Sequence, residues 1–174
     1  MLARTPLAPR RPRRRGATIV ESALVLPMFL MILFGIFEYC RFLMVLHVTG
    51  NAARDGARYA SVNLSKPSTF STTDYTDASG TVYPSVVKYT TARMGGTQGN
   101  VQGFAVTVTA RDETGAVITG TQWNGVSFPK RVGVAVTGIY RPVVPLQIFT
   151  GKFGLYIIPD NIPVNANAAV ACEG

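Results

Sequence analysis

The chain has 174 residues, 47% of them hydrophobic, two cysteines and a formal net charge of +8. Six arginines and no acid fall within residues 1–16, which leaves eleven basic against nine acidic side chains for the rest. Basicity this local argues against nucleic-acid binding and for a topology signal. Cys40 and Cys172 are too few and too far apart to predict a disulfide framework.

The first element is a basic leader, residues 1–16, in which Arg10, Arg11, Arg13, Arg14 and Arg15 run up to Gly16. An apolar run follows from Ala17 to Phe37, with Glu21 its only charge. At 1.5 Å per residue this run is roughly 31 Å of helix, the thickness of a bilayer's hydrocarbon core. The transmembrane helix as a whole is expected over residues 17–46, with a helical extension over 47–62. Pro27 and Gly35 are tolerated in membrane helices, and Pro27 is expected to kink this one.

The arginines place the N-terminus in the cytoplasm and residues 63–174 outside the membrane. The apolar run is too long for a cleaved secretory signal, and no convincing small-residue cleavage site follows it. The order of basic leader, small residue and apolar helix points instead to cleavage on the cytoplasmic side, between Gly16 and Ala17. Glu21 has two readings. It snorkels to the headgroups, or it faces the amine freed at Ala17, one helical turn away, on its own helix or a neighbour's.

The stretch from Arg13 to Ser61 resembles the TadE-like family of Flp (Tad) pilus assembly proteins. The resemblance rests on Arg15-Gly16-Ala17, Val20-Glu21-Ser22-Ala23-Leu24, Leu26-Pro27, Glu38 with Arg41, and Asn51-Ala52-Ala53-Arg54-Asp55-Gly56-Ala57-Arg58-Tyr59-Ala60. It covers about residues 14–61. It implies a pilin-like minor subunit, or pseudopilin, similar to type IVb prepilins. A dedicated membrane aspartyl peptidase would cut after Gly16, and Glu21 would assist assembly. Flp-type prepilins often carry tyrosine after the glutamate, whereas Ser22 stands here.

Past the apolar run, Glu38 and Arg41 are spaced to pair on the helix at the outer interface. Ala52, Gly56 and Ala60 form a small-residue stripe that lets another backbone approach closely, either the protein's own sheet or a neighbouring subunit's helix. Residues 63–82 are polar and read as an exposed loop. Pro84 opens a short helix through Met94, stopped by Gly95-Gly96. Phe104, Val106 and Val108 alternate with Thr107 and Thr109. Asp112 to Gly115 makes a turn. Val132, Val134, Val136 and Tyr140 alternate again, and Val164–Ala171 forms a last strand of small residues. Trp123-Asn124-Gly125 marks another turn, and Pro142–Pro163 reads as a core-crossing connection or an exposed apolar patch.

The predicted fold is α+β: a long N-terminal transmembrane helix packed against a small antiparallel sheet in a single-pass membrane protein. His47, the only histidine, falls at the membrane interface, and one histidine with two distant cysteines gives no metal spacing. No catalytic constellation is legible, and no enzyme activity, metal or cofactor is expected. The expected partners are the lipid bilayer, a prepilin peptidase, other pilin-like subunits and the pilus assembly machinery. The expected site is the bacterial inner membrane, and the pilus if the subunit enters the fibre. The alternative is an uncleaved inner-membrane scaffold of the pilus secretion machine, which would keep Met1 as its N-terminus.

Overall fold

The computed structural model describes residues 15–111, 114–117, 131–143 and 161–172. Helix α1 runs over Arg15–Val62, 48 residues with Pro27 inside it. By its contacts the chain divides after Phe37. Up to that point the α1 side chains from Thr18 on are exposed or half-exposed. From Glu38 onward the helix belongs to an α+β unit. The Glu38 and Val45 side chains are buried among residues of that unit.

Strands β1 (Tyr75–Thr76) and β2 (Val82–Tyr83) form a small antiparallel hairpin. Helix α2 (Val86–Arg93) follows. Strands β3 (Val101–Arg111), β4 (Arg131–Tyr140) and β5 (Ile162–Ala171) make an antiparallel sheet in that order. Strands β3 and β4 match the alternating segments of the sequence, and β5 takes in the expected strand of small residues, Val164–Ala171. In central β4 the side chains of Val132, Val134, Val136 and Tyr140 are fully buried, two residues apart as a pleated strand requires, except where Gly138 intervenes. A Cβ at Gly138 would overlap the Val101 side chain. There β3 carries a bulge between Gln102 and Ala105, with Gly103 at φ 64°.

Helix α2 begins at Ser85, whose hydroxyl accepts the Lys88 N–H at 3.3 Å. It stops at Gly95 and Gly96, both at positive φ, as the glycine pair predicted. Asp74 ties the helix start down, accepting from Ser85 N at 2.8 Å and Lys88 Nζ at 2.6 Å. Those bonds, that to Lys88 first, hold its carboxyl below the usual range.

The main core joins Ala53, Ala57 and Ala60 of α1 to Val86 of α2 and to the inward valines of β4. The segment 63–82 is not simply an exposed loop. Asn63, Leu64 and Phe70 are buried, and Phe70 has no exposed surface at all. A large hydrophobe with polar neighbours on both sides, Phe70 is driven into the core, and the chain around it forms a 3-10 turn, Ser68–Ser71. Above it, Lys66 Nζ lies 3.8 Å from the Tyr83 ring centre and faces Phe70 and Tyr75 as well. The Trp123-Asn124-Gly125 turn, Asp112 and Glu113 of the first turn, and residues 144–160 of the apolar connection lie outside the described residues.

Candidate functional site

The segment Thr18–Phe37 is helical, and its side chains are exposed or half-exposed. Ile19, Val20 and Leu24 show 70% or more of their surface. An apolar side chain so placed is stable only in lipid or against another apolar helix, since water penalises each such residue by about 1.5–3 kcal/mol. Among the described residues this is the one helix long and apolar enough to cross a membrane. Glu21 lies exposed on a face it shares with Thr18, Ser22, Val25 and Phe29. The Ser22 hydroxyl does not reach for the carboxylate. It donates to the Thr18 carbonyl at 2.9 Å, the back-bond typical of serine in membrane helices. The backbone at Gly16 and Ala17 continues the helix. Pro27 has no N–H, so the Ala23 carbonyl lacks its helical donor.

From Glu38 the helix face changes character. Glu38, Val45, Thr49, Ala52, Ala53, Ala57 and Ala60 are all buried, with Phe42 half-buried on the same side. Ala52, Gly56 and Ala60 therefore lie inside the folded unit. A Cβ at Gly56 would overlap the hydroxyl of Thr90 on α2. Glycine is required there because the two helices touch.

Glu38 is 3% exposed, and a buried carboxylate is tolerated only where donors surround it. The Tyr140 hydroxyl donates to Glu38 Oε1 at 2.5 Å, and the Val143 N–H donates to the same oxygen at 3.2 Å. Arg41 Nη1 lies 3.4 Å from Oε2, while its Nη2 donates to Asn100 Oδ1 at 3.0 Å. The Phe42 ring packs on Tyr140 at 5.5 Å. Burial first, and the Glu38 carboxylate second, push the Tyr140 hydroxyl up to about 12. The i,i+3 pairing of Glu38 with Arg41 was legible. Its capture by Tyr140, 102 residues away, was not.

His47 and Cys40 are exposed on α1, while Cys172 is buried at the end of β5, and both thiols are free. Among the described residues no group of three His, Cys, Asp or Glu is placed to hold a metal ion.

Two features thus meet in one helix, a bare apolar half with an acid near its start and a half that carries an α+β unit. Residues 16–58 match the TadE-like protein family. The match starts at Gly16, takes in Glu21, Pro27, Glu38, Arg41 and Gly56, and ends before the hairpin and sheet. TadE-like proteins are pilus assembly components and not a known enzyme family, and the match covers about a quarter of this chain. No curated protein and no solved structure matches the chain.

Proposed function

We propose that this TadE-like chain is a pilin-like minor subunit, a pseudopilin needed for Flp/Tad pilus assembly. It is held in the bacterial inner membrane with its N-terminus in the cytoplasm and its α+β unit on the far side. The carrying observation is the TadE-like match over a helix whose residues Thr18–Phe37 are mostly apolar and exposed or half-exposed.

In this reading a prepilin peptidase cuts between Gly16 and Ala17. Cleavage removes six arginines, which anionic headgroups attract and which an apolar helix bundle would exclude. The new amine of Ala17 stands one turn from Glu21. In hydrocarbon an unpartnered carboxylate costs about 2.5–3.5 kcal/mol at the centre of a span, so Glu21 favours a neighbouring subunit that presents such an amine. That contact sets the axial register of packed helices. Pro27 frees a carbonyl close by and lets the helix bend to its neighbours. The partners are the bilayer, the peptidase and other pilin-like subunits.

Intact mass of the membrane-extracted protein tests the first step. Ala17 is the expected N-terminus, and a persistent Met1 beside active peptidase points to the uncleaved scaffold instead. Glu21→Ala is expected to be cleaved normally and to fail in piliation; normal pili would remove the assembly role.

A further inference from the structure

Residues Ala17–Leu46 contain a second apolar block, Phe42-Leu43-Met44-Val45-Leu46, beyond Glu38 and Arg41. The whole stretch is about 45 Å of helix, longer than the roughly 30 Å hydrocarbon core. Such a helix has more than one apolar register in a bilayer. It leaves the hydrocarbon after Phe37, or it sinks until the second block is also in lipid. The fold takes up Phe42, Val45 and Leu46 of this block: Val45 is 2% exposed and packs with Val101, Tyr140 and Val164, and Phe42 and Leu46 join that cluster. These side chains are covered by the sheet or by lipid, not by both.

The contact that commits them to the sheet is the one around Glu38. It joins the first turn of the folded unit to β4 through Tyr140 and to the chain beyond β4 through Val143. Arg41 extends it to Asn100 just before β3. We propose that the Glu38–Tyr140 hydrogen bond is a depth latch: it holds Phe42, Val45 and Leu46 on the sheet and so fixes the exit of the helix from the bilayer at Phe37. The proposal rests on the reading that α1 spans a membrane, and not on cleavage or on entry into a pilus.

The protein carries its own reporter. Cys40 is exposed half a turn past Glu38, whereas Cys172 is buried. In Cys172→Ser protein in lipid nanodiscs, a hydrophilic maleimide should label Cys40 about as fast as in detergent. Removing a hydrogen bond to a charged group lowers the ratio of latched to unlatched protein about tenfold or more, so Tyr140→Phe and Glu38→Ala should slow labelling about twofold or more in nanodiscs alone, a parent latched about ten to one falling to parity or below. Should Glu38→Ala fail to fold, Tyr140→Phe, which removes one oxygen, carries the comparison. A Cys40 already protected in the parent, or labelled equally fast in parent and variants, overturns the latch. Ile32→Cys in a background lacking both native cysteines separates this from the membrane reading. It should be protected throughout, and rapid labelling at residue 32 would mean that α1 does not span the bilayer.

Discussion

Replacing Gly56 by alanine sets two effects of opposite sign against each other at one site. Helix propensity alone favours the change by about 1 kcal/mol, because glycine is the weaker helix former. Packing opposes it. The new Cβ would lie 3.2 Å from Thr90 Cβ and 3.3 Å from Thr90 Cγ2, and closer still to Thr90 Oγ1. Thr90 cannot easily turn away, for it is fully buried and its hydroxyl donates to the Val86 carbonyl at 2.8 Å. Overpacking of this kind costs about 1–3 kcal/mol, and contact with three atoms at once places it toward the upper end. The net expectation is a loss of about 1–2 kcal/mol, or a fall of several degrees in Tm by calorimetry or circular dichroism. Thr90→Ala should restore part of the loss in the Gly56→Ala background, since it removes two of the three crowding atoms. A Tm that rises or stays level would refute the reasoning. It would mean that Gly56 does not abut α2, and that the small-residue stripe is free to meet another subunit.

Alkaline unfolding should expose the Tyr140 contact. The folded state holds its proton to about pH 12 against an ordinary value near 10, so its contribution is intact below pH 10 and about 2–3 kcal/mol is lost between pH 10 and 12. Denaturant titrations across that range should lose this slope in Tyr140→Phe. Acid should act on Asp74: its contribution is present above its unfolded value near 3.8 and is lost as pH falls through its depressed folded value, and Asp74→Asn should flatten that dependence. Phe70→Ala should destabilise the α+β unit by about 3–5 kcal/mol in urea melts, whereas a truly exposed loop would tolerate it. Lys66→Met should loosen the β1–β2 hairpin by about 1–2 kcal/mol, read as faster amide exchange at Tyr75 and Tyr83.

The parts of the fold legible in the sequence are those with a strong period. Val132, Val134 and Val136 marked β4, and proline followed by paired glycines marked α2. Phe70 was missed because the large hydrophobes of its stretch, Leu64, Phe70 and Tyr75, fall six and five residues apart and repeat with neither the helical nor the strand period. The α1 face was half legible. Stepping back from Ala60 through Gly56 and Ala52 by three or four residues reaches Thr49, Val45, Phe42 and Glu38, so the buried face was written in the spacing. Burial ends at Glu38, and the next positions back, Phe34 and Gly35, are exposed and half-exposed. What the spacing lacked was the partner. Tyr140 falls on the inward parity of β4, and a buried tyrosine hydroxyl needs an acceptor, but β4 alone does not say which one.

The division of α1 at Glu38 also constrains any assembly through this helix. The stripe of Ala52, Gly56 and Ala60 is the feature that most resembles a helix-packing surface, yet α2 and the sheet already occupy it. In the proposed assembly, subunit contacts along the helix would then fall on Thr18–Phe37, whose side chains are exposed or half-exposed, or on the outward face of the part from Glu38 onward. That face stays apolar only briefly, with Tyr39 and Met44 more than half exposed, and then turns polar at Asn51, Arg54, Asp55 and Arg58. Along Thr18–Phe37 most side chains are apolar, aliphatic or aromatic, and these set helix distance loosely and register weakly. A carboxylate is the opposite kind of group in hydrocarbon, since a mismatch of a few ångströms leaves it unpaired at a cost of kilocalories. Glu21 is the only such group between Thr18 and Phe37. Moving it by one turn, as in Glu21→Val with Val25→Glu, should therefore disrupt piliation as fully as Glu21→Ala, although composition and apolarity of the span are unchanged. If the shifted acid supports normal pili, register does not come from Glu21 and must be set by the folded units alone.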